Sequence, residues 1–96
     1  MLIRRTGQDI TYVNENDHFH RLDGPAILWS SGSRSWFRDG LAHRDDGPAY
    51  EGYAGGIIWY RHGLKHRMDG PAVITANGRT EYWIDGVHVA EQDLPL

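Results

Sequence analysis

His43-Arg44-Asp45-Asp46-Gly47-Pro48-Ala49 is the stretch on which the fold turns. It lies between two close copies of itself, His20-Arg21-Leu22-Asp23-Gly24-Pro25-Ala26 and His66-Arg67-Met68-Asp69-Gly70-Pro71-Ala72, at a constant spacing of 23 residues. Self-similarity at one fixed period means that a single small supersecondary unit is laid against copies of itself, so the fold problem reduces to the shape of that unit.

Outward from the motif, Pro25-Ala26-Ile27-Leu28-Trp29 reads as a short strand, Ser31-Gly32 as a turn, Ser35-Trp36-Phe37-Arg38 as a second strand and Asp39-Gly40 as a second turn. The turn dipeptides Ser31-Gly32, Gly55-Gly56 and Asn77-Gly78 line up on one side, and Asp39-Gly40, His62-Gly63 and Asp85-Gly86 on the other. A dipeptide ending in glycine between β-rich runs is a strong hairpin signal, because glycine reaches the positive φ that tight reversals need. The expected fold is all-β: an antiparallel meander of tandem 23-residue two-stranded hairpins in an open, curled single sheet. The His-Arg-x-Asp-Gly-Pro segment leaves the ladder as a corner, since proline has no N–H to donate, and pairing restarts at the alanine.

Residues 1–96 form one domain in this reading, with units at 20–42, 43–65 and 66–88, a degenerate N-terminal cap at 1–19 and a tail at 89–96. Stepping back 23 residues places Val13 under Trp36, so the cap lacks the aromatic pair. A short helical turn within 90–94 has no pattern to support it.

Composition narrows the function classes. The chain has no cysteine and a net charge of −3, with its ten Lys and Arg dispersed through the units. Disulfides and thiolate chemistry are therefore unavailable, a reducing cytoplasm is the expected setting, and there is little pull toward nucleic acid. No apolar run approaches the ~20 residues of a membrane span. Serines without an assignable base and carboxylates spread by the period do not compose a catalytic centre, so no enzyme activity is expected.

Two constellations remain. His20, Arg21 and Asp23, His43, Arg44 and Asp46, and His66, Arg67 and Asp69 are read as structural corners, with the imidazole or Arg44 bonding the Asp46 carboxylate. Equivalent residues on neighbouring units would lie roughly 10 Å apart, too far to share a metal, so neither metal nor cofactor is assigned. Alternation places Trp36, Trp59 and Tyr82 on one face and Phe37, Tyr60 and Trp83 on the other. Phe37, Tyr60 and Trp83, with Arg38 and Arg61, are the candidate binding residues; the competing reading has Arg38 and Arg61 merely lying across the rings of a thin sheet.

The spacing in Trp59-Tyr60-Arg61-His62-Gly63-Leu64-Lys65-His66 resembles the MORN repeat and antitoxin-type MORN-like repeats, and the longer motif resembles a variant in small proteins of phages and large DNA viruses. It departs from the standard pattern, in which glycine follows the histidine; Arg21, Arg44 and Arg67 hold that place here. The resemblance implies a non-catalytic module that binds, and for the phage-type variant inhibits, a host protein in the host cytoplasm. Homodimerisation through a sheet edge, a nucleotide-sequestering role and a lipid-proximal scaffold stay open beside it.

Overall fold

Left-handed backbone at a few turn residues sets the framework. The computed structural model describes residues 2–95. In it φ is positive at both central residues of Asp39-Gly40 (50° and 83°), His62-Gly63 (50° and 83°) and Asp85-Gly86 (46° and 81°). Two successive positive values define the type I′ reversal whose twist suits a two-residue hairpin. On the other side the reversals are longer than expected. Trp29 donates to Ser33 O, Gly52 to Gly56 O and Thr75 to Arg79 O, closing three-residue loops, and the left-handed position falls on Gly32, Gly55 and Gly78. The middle turn is thus Ala54-Gly55, not Gly55-Gly56.

The described residues form an all-β, antiparallel structure with most of its strands in one sheet. In order, the strands are β1 (Leu2–Thr6), β2 (Asp9–Val13), β3 (Ile27–Leu28), β4 (Arg34–Ser35), β5 (Phe37–Arg38), β6 (Leu41–Ala42), β7 (Tyr50–Glu51), β8 (Ile57–Ile58), β9 (Tyr60–Arg61), β10 (Leu64–Lys65), β11 (Val73–Ile74), β12 (Thr80–Ile84) and β13 (Val87–Val89). Nine of them form a sheet in the order β1-β2-β3-β4-β7-β8-β11-β12-β13, while β5-β6 and β9-β10 stand apart as two-stranded hairpins. A single 3-10 turn, Glu91–Asp93, follows β13.

The expected second strand through Ser35 to Arg38 is interrupted at its first aromatic. Ser35 pairs with Ile27 and Tyr50 in the long sheet, and Phe37 pairs with Ala42 in the separate hairpin. Trp36 between them donates its N–H to Ala49 O at 2.7 Å and accepts the His43 N–H at 3.1 Å. Trp59 repeats this with Ala72 O and the His66 N–H. Adjacent hairpins are then joined by isolated backbone bonds, Gly40 to Phe19 O, Gly63 to Ala42 O and Gly86 to Lys65 O.

Each residue of the motif has a distinct task. The alanines Ala26, Ala49 and Ala72 are the most buried residues, at 0–1% exposure. Their N–H groups reach Ser35, Ile58 and Glu81 while their carbonyls accept from Tyr12, Trp36 and Trp59, so a larger side chain would wedge three strands apart. The arginine lies over an aromatic ring: Arg21 over Tyr12, Arg44 over Trp36 and Arg67 over Trp59, at 3.9–4.1 Å. Each also donates to the proline carbonyl four residues on and meets the motif aspartate, at 3.0, 3.5 and 3.0 Å. The motif glycine makes room for that arginine. Its φ is not left-handed, but a Cβ on Gly24, Gly47 or Gly70 would lie 2.9–3.1 Å from the guanidinium carbon.

These contacts correct two expectations. The rings are covered by Arg21, Arg44 and Arg67, not by Arg38 and Arg61. The ring under Arg21 is Tyr12, so Tyr12, not Val13, takes the place of Trp36. His20 follows Tyr12 by eight positions, whereas His43 follows Trp36 by seven. The extra residue lies in the Asn14–His18 turn, where the Asn14 side chain accepts the Asn16 and His18 N–H groups.

Gly47→Ala sets a Cβ 3.1 Å from the Arg44 guanidinium carbon, which shifts that side chain on the Trp36 ring and is expected to lower stability by less than about 1 kcal/mol, a fraction of the cation–π contact. In an Arg44→Ala background the same change should be nearly neutral, and urea unfolding of the four proteins reads this coupling directly.

Candidate functional site

The hairpins carry a row of side chains built from both of their strands. Phe37, Tyr60 and Trp83 come from the first strand of each hairpin, and all three are half-buried. Their neighbours in the row are Phe19, Ala42, Lys65 and His88, which follow one another at 23-residue steps. Phe19 packs on Phe37 at 5.4 Å between ring centroids. The Lys65 ammonium stands 4.6 Å from the centre of the Trp83 ring, and His88 stacks on the same ring at 4.9 Å. Each of these positions holds a large side chain except one. Ala42, paired with Phe37 and followed in the row by Tyr60, leaves a gap.

An open groove of about 440 Å³ lies at that gap. Phe37, Tyr60, Leu41 and Ala42 of the hairpins line it together with Ser35, Tyr50 and Ile58 of the long sheet and the adjoining Ala49. No charged side chain lines it. Leu41 and Leu64, each 48% exposed, continue the apolar surface along the hairpins. A pocket of this size with a mainly apolar lining and a few hydroxyls has the make-up of a binding site.

A second cleft, of about 500 Å³, opens between successive corners, among Arg21, Asp23, Trp36, Arg38, His43, Arg44, Asp45 and Asp46. Its charges are consumed internally: Arg21 pairs with Asp23, Arg38 with Asp45 at 3.3 Å, and Arg44 with Asp46. Arg44 further donates to Glu51. Little is left for an anionic ligand.

The corner histidines act on the neighbouring hairpin. The backbone N–H groups of Asp39, His62 and Asp85 donate to Nδ1 of His20, His43 and His66 at 2.9, 3.0 and 3.0 Å. These donors are the first residues of the type I′ turns, 19 residues further along the chain. The Asp39 and Asp85 carboxylates stand 3.3 and 3.2 Å from the same nitrogens, but that pairing needs a protonated ring, whereas the shorter N–H contact needs the Nδ1 lone pair. Nδ1 is therefore the acceptor and Nε2 carries the proton. A neutral imidazole ligates metal or takes a proton through its free lone pair, and here that lone pair is already engaged.

His43 is the most elaborated of the three. Its Nε2 donates to Asp45 at 2.7 Å, and its ring lies 4.4 Å from that of His62. The hydrogen bond from His43, with the Arg38 guanidinium beside it, holds the Asp45 carboxyl below the usual carboxylate range. At the equivalent position in the next corner stands Met68, and the buried Nε2 of His66 has no partner.

Of the candidate binding residues, Phe37 and Tyr60 meet at the groove, while Trp83 lies further along the row under Lys65. Arg38 and Arg61 are turned to Asp45 and Asp85, at 3.3 Å each. The motif aspartate is bonded by the arginine, and the imidazole goes to the turn instead. Sequence reasoning missed Ala42, Leu41, Tyr50 and Ile58. The available signal was the break at Ala42 in the otherwise bulky series Phe19, Lys65 and His88. No helix among the described residues is long and apolar enough to cross a membrane. No family model, curated protein or solved structure matches the chain.

Met68→Asp supplies the acceptor that Asp45 provides in the preceding corner, and should raise stability by about 1 kcal/mol, the net value of one hydrogen bond to a buried donor, in chemical unfolding. A second expectation concerns acid. Because the folded-state pKa of Asp45 is depressed, its stabilisation is fully present above the ordinary value of 3.8 and is lost as pH falls through the lower folded value. The stability difference between the wild type and Asp45→Asn should be constant from pH 7 to about 5 and shrink below about pH 4, as read by urea melts across that range.

Proposed function

We propose that the protein is a non-catalytic binding module of MORN-like hairpin units, at 20–42, 43–65 and 66–88, that holds a partner protein at the groove between Phe37 and Tyr60. The observation that supports this reading is an open, uncharged, aromatic-lined groove on a surface that continues into the exposed Leu41 and Leu64. Contact sites between proteins are enriched in aromatic anchors and depleted of charge at their centres. In a phage-type setting, the corresponding role is inhibition of a host protein in the host cytoplasm.

The alternatives have less behind them. A nucleotide-sequestering protein needs cations free for phosphate, and the arginines of the polar cleft are paired with carboxylates. Symmetric pairing of β1 with a second copy would set Arg4 and Arg5 near their own duplicates, and like charges across strands are unfavourable. Engagement of His20, His43 and His66 by turn N–H groups favours the non-catalytic reading.

The test is capture from host lysate with wild-type bait and with Ala42→Phe, which fills the groove with the residue found at the equivalent position 19. The expected outcome is a protein retained at least tenfold more by the wild type, with both baits giving the same β-sheet circular dichroism. Identical captured sets from the two baits would reject the groove as the contact site.

A further inference from the structure

The row of side chains on the hairpins indicates what belongs in its gap. Residues 19 and 37, 42 and 60, and 65 and 83 stand in the same relation, 18 residues apart. In the first pair a phenyl ring covers Phe37, and in the last a Lys65 ammonium covers Trp83. In the middle pair Ala42 reaches no further than its Cβ, and Tyr60 faces the groove.

We infer that the slot at Ala42 receives one neutral aromatic side chain from an extended segment of a partner protein, seated between Phe37 and Tyr60 as Phe19 is seated on Phe37. This deepens the proposed function and rests on its choice of the groove. Three observations select the occupant. The lining carries no charge, so burying an ionised group there would bring no compensating partner. The lining includes rings, which favour edge or offset contact with a further ring. The groove is open along its length and flanked by the exposed Leu41 and Leu64, whereas a free small molecule needs a site that encloses most of its surface.

The experiment uses the full chain labelled with 15N and titrated with three probes: the neutral pentapeptide acetyl-GSWSG-amide, its leucine counterpart acetyl-GSLSG-amide, and free indole. The tryptophan peptide should move the amide signals of Ala42, Ile58, Tyr60 and Gly63 saturably. The leucine peptide and indole should each bind at least fivefold more weakly. Ala42→Phe should weaken the tryptophan peptide at least tenfold, and Ala42→Lys, which copies the residue at position 65, serves if the phenylalanine variant loses its dispersed spectrum. The inference is overturned by the absence of saturable shifts with the tryptophan peptide, by equal binding of the leucine peptide, by indole binding as tightly as the peptide, or by undiminished binding to the folded variant. Loss of lysate capture in Ala42→Phe without any response to the tryptophan peptide rejects this inference and leaves the proposed function standing; saturable binding of the tryptophan peptide with identical captured sets rejects the proposed function, and with it a partner protein as the source of the ring.

Discussion

A hydrogen bond from a turn to a histidine 19 residues earlier is the contact on which the arrangement depends. Most strands here have two residues, and such short ladders are marginal by themselves. The Nδ1 atoms of His20, His43 and His66 fix each hairpin tip to the preceding corner, and do so at the turn residue whose left-handed backbone directs its N–H outward from the hairpin. His43 and His66 are buried to 5% and 7% exposure, so an unmade bond at either would leave a polar group without water to satisfy it. This anchoring holds the hairpins at a constant offset and makes the row on their surface regular.

The arginine sandwich supports the same geometry from the opposite face. A guanidinium over Tyr12, Trp36 or Trp59 covers apolar ring area that a chain with no long helix cannot cover otherwise, and its remaining donors secure the corner to the proline carbonyl. Charge and packing thus act through one side chain, and the glycine beside it is demanded by the width of the guanidinium. The last aromatic of the series has no such cover: position 90, which follows Arg67 by 23 residues, is alanine, and Tyr82 lacks an arginine above it.

Positions at which the copies agree carry the architecture, and positions at which they differ carry whatever distinguishes one part of the surface from another. Three differences gather around the second corner: Ala42 where Phe19 and Lys65 stand, Asp45 where Leu22 and Met68 stand, and His62 where Asp39 and Asp85 stand. Asp45 and His62 complete the bonds and ring contact of His43, reinforcing the scaffold beside the place where Ala42 opens it. A gap in a thin sheet needs such reinforcement, because the side chain removed from the row also removes packing.

The sequence by itself determined the all-β class, the antiparallel pairing, the corner at each Asp-Gly-Pro and the alternation that separates Trp36 from Phe37, since these follow from local turn chemistry and period-two geometry. It also marked the motif histidines and arginines as corner residues and offered the imidazole or the arginine for the aspartate; the arginine takes it. Only the tertiary structure decided that Trp36 hands its chain from one sheet to a separate hairpin, that Tyr12 replaces Val13, that the imidazole bonds a turn N–H while the guanidinium lies over a ring, and that a groove exists at Ala42. Each of these depends on groups from different units meeting in space, such as the turn N–H that meets His43, and a linear period records which residues recur without recording which of them touch.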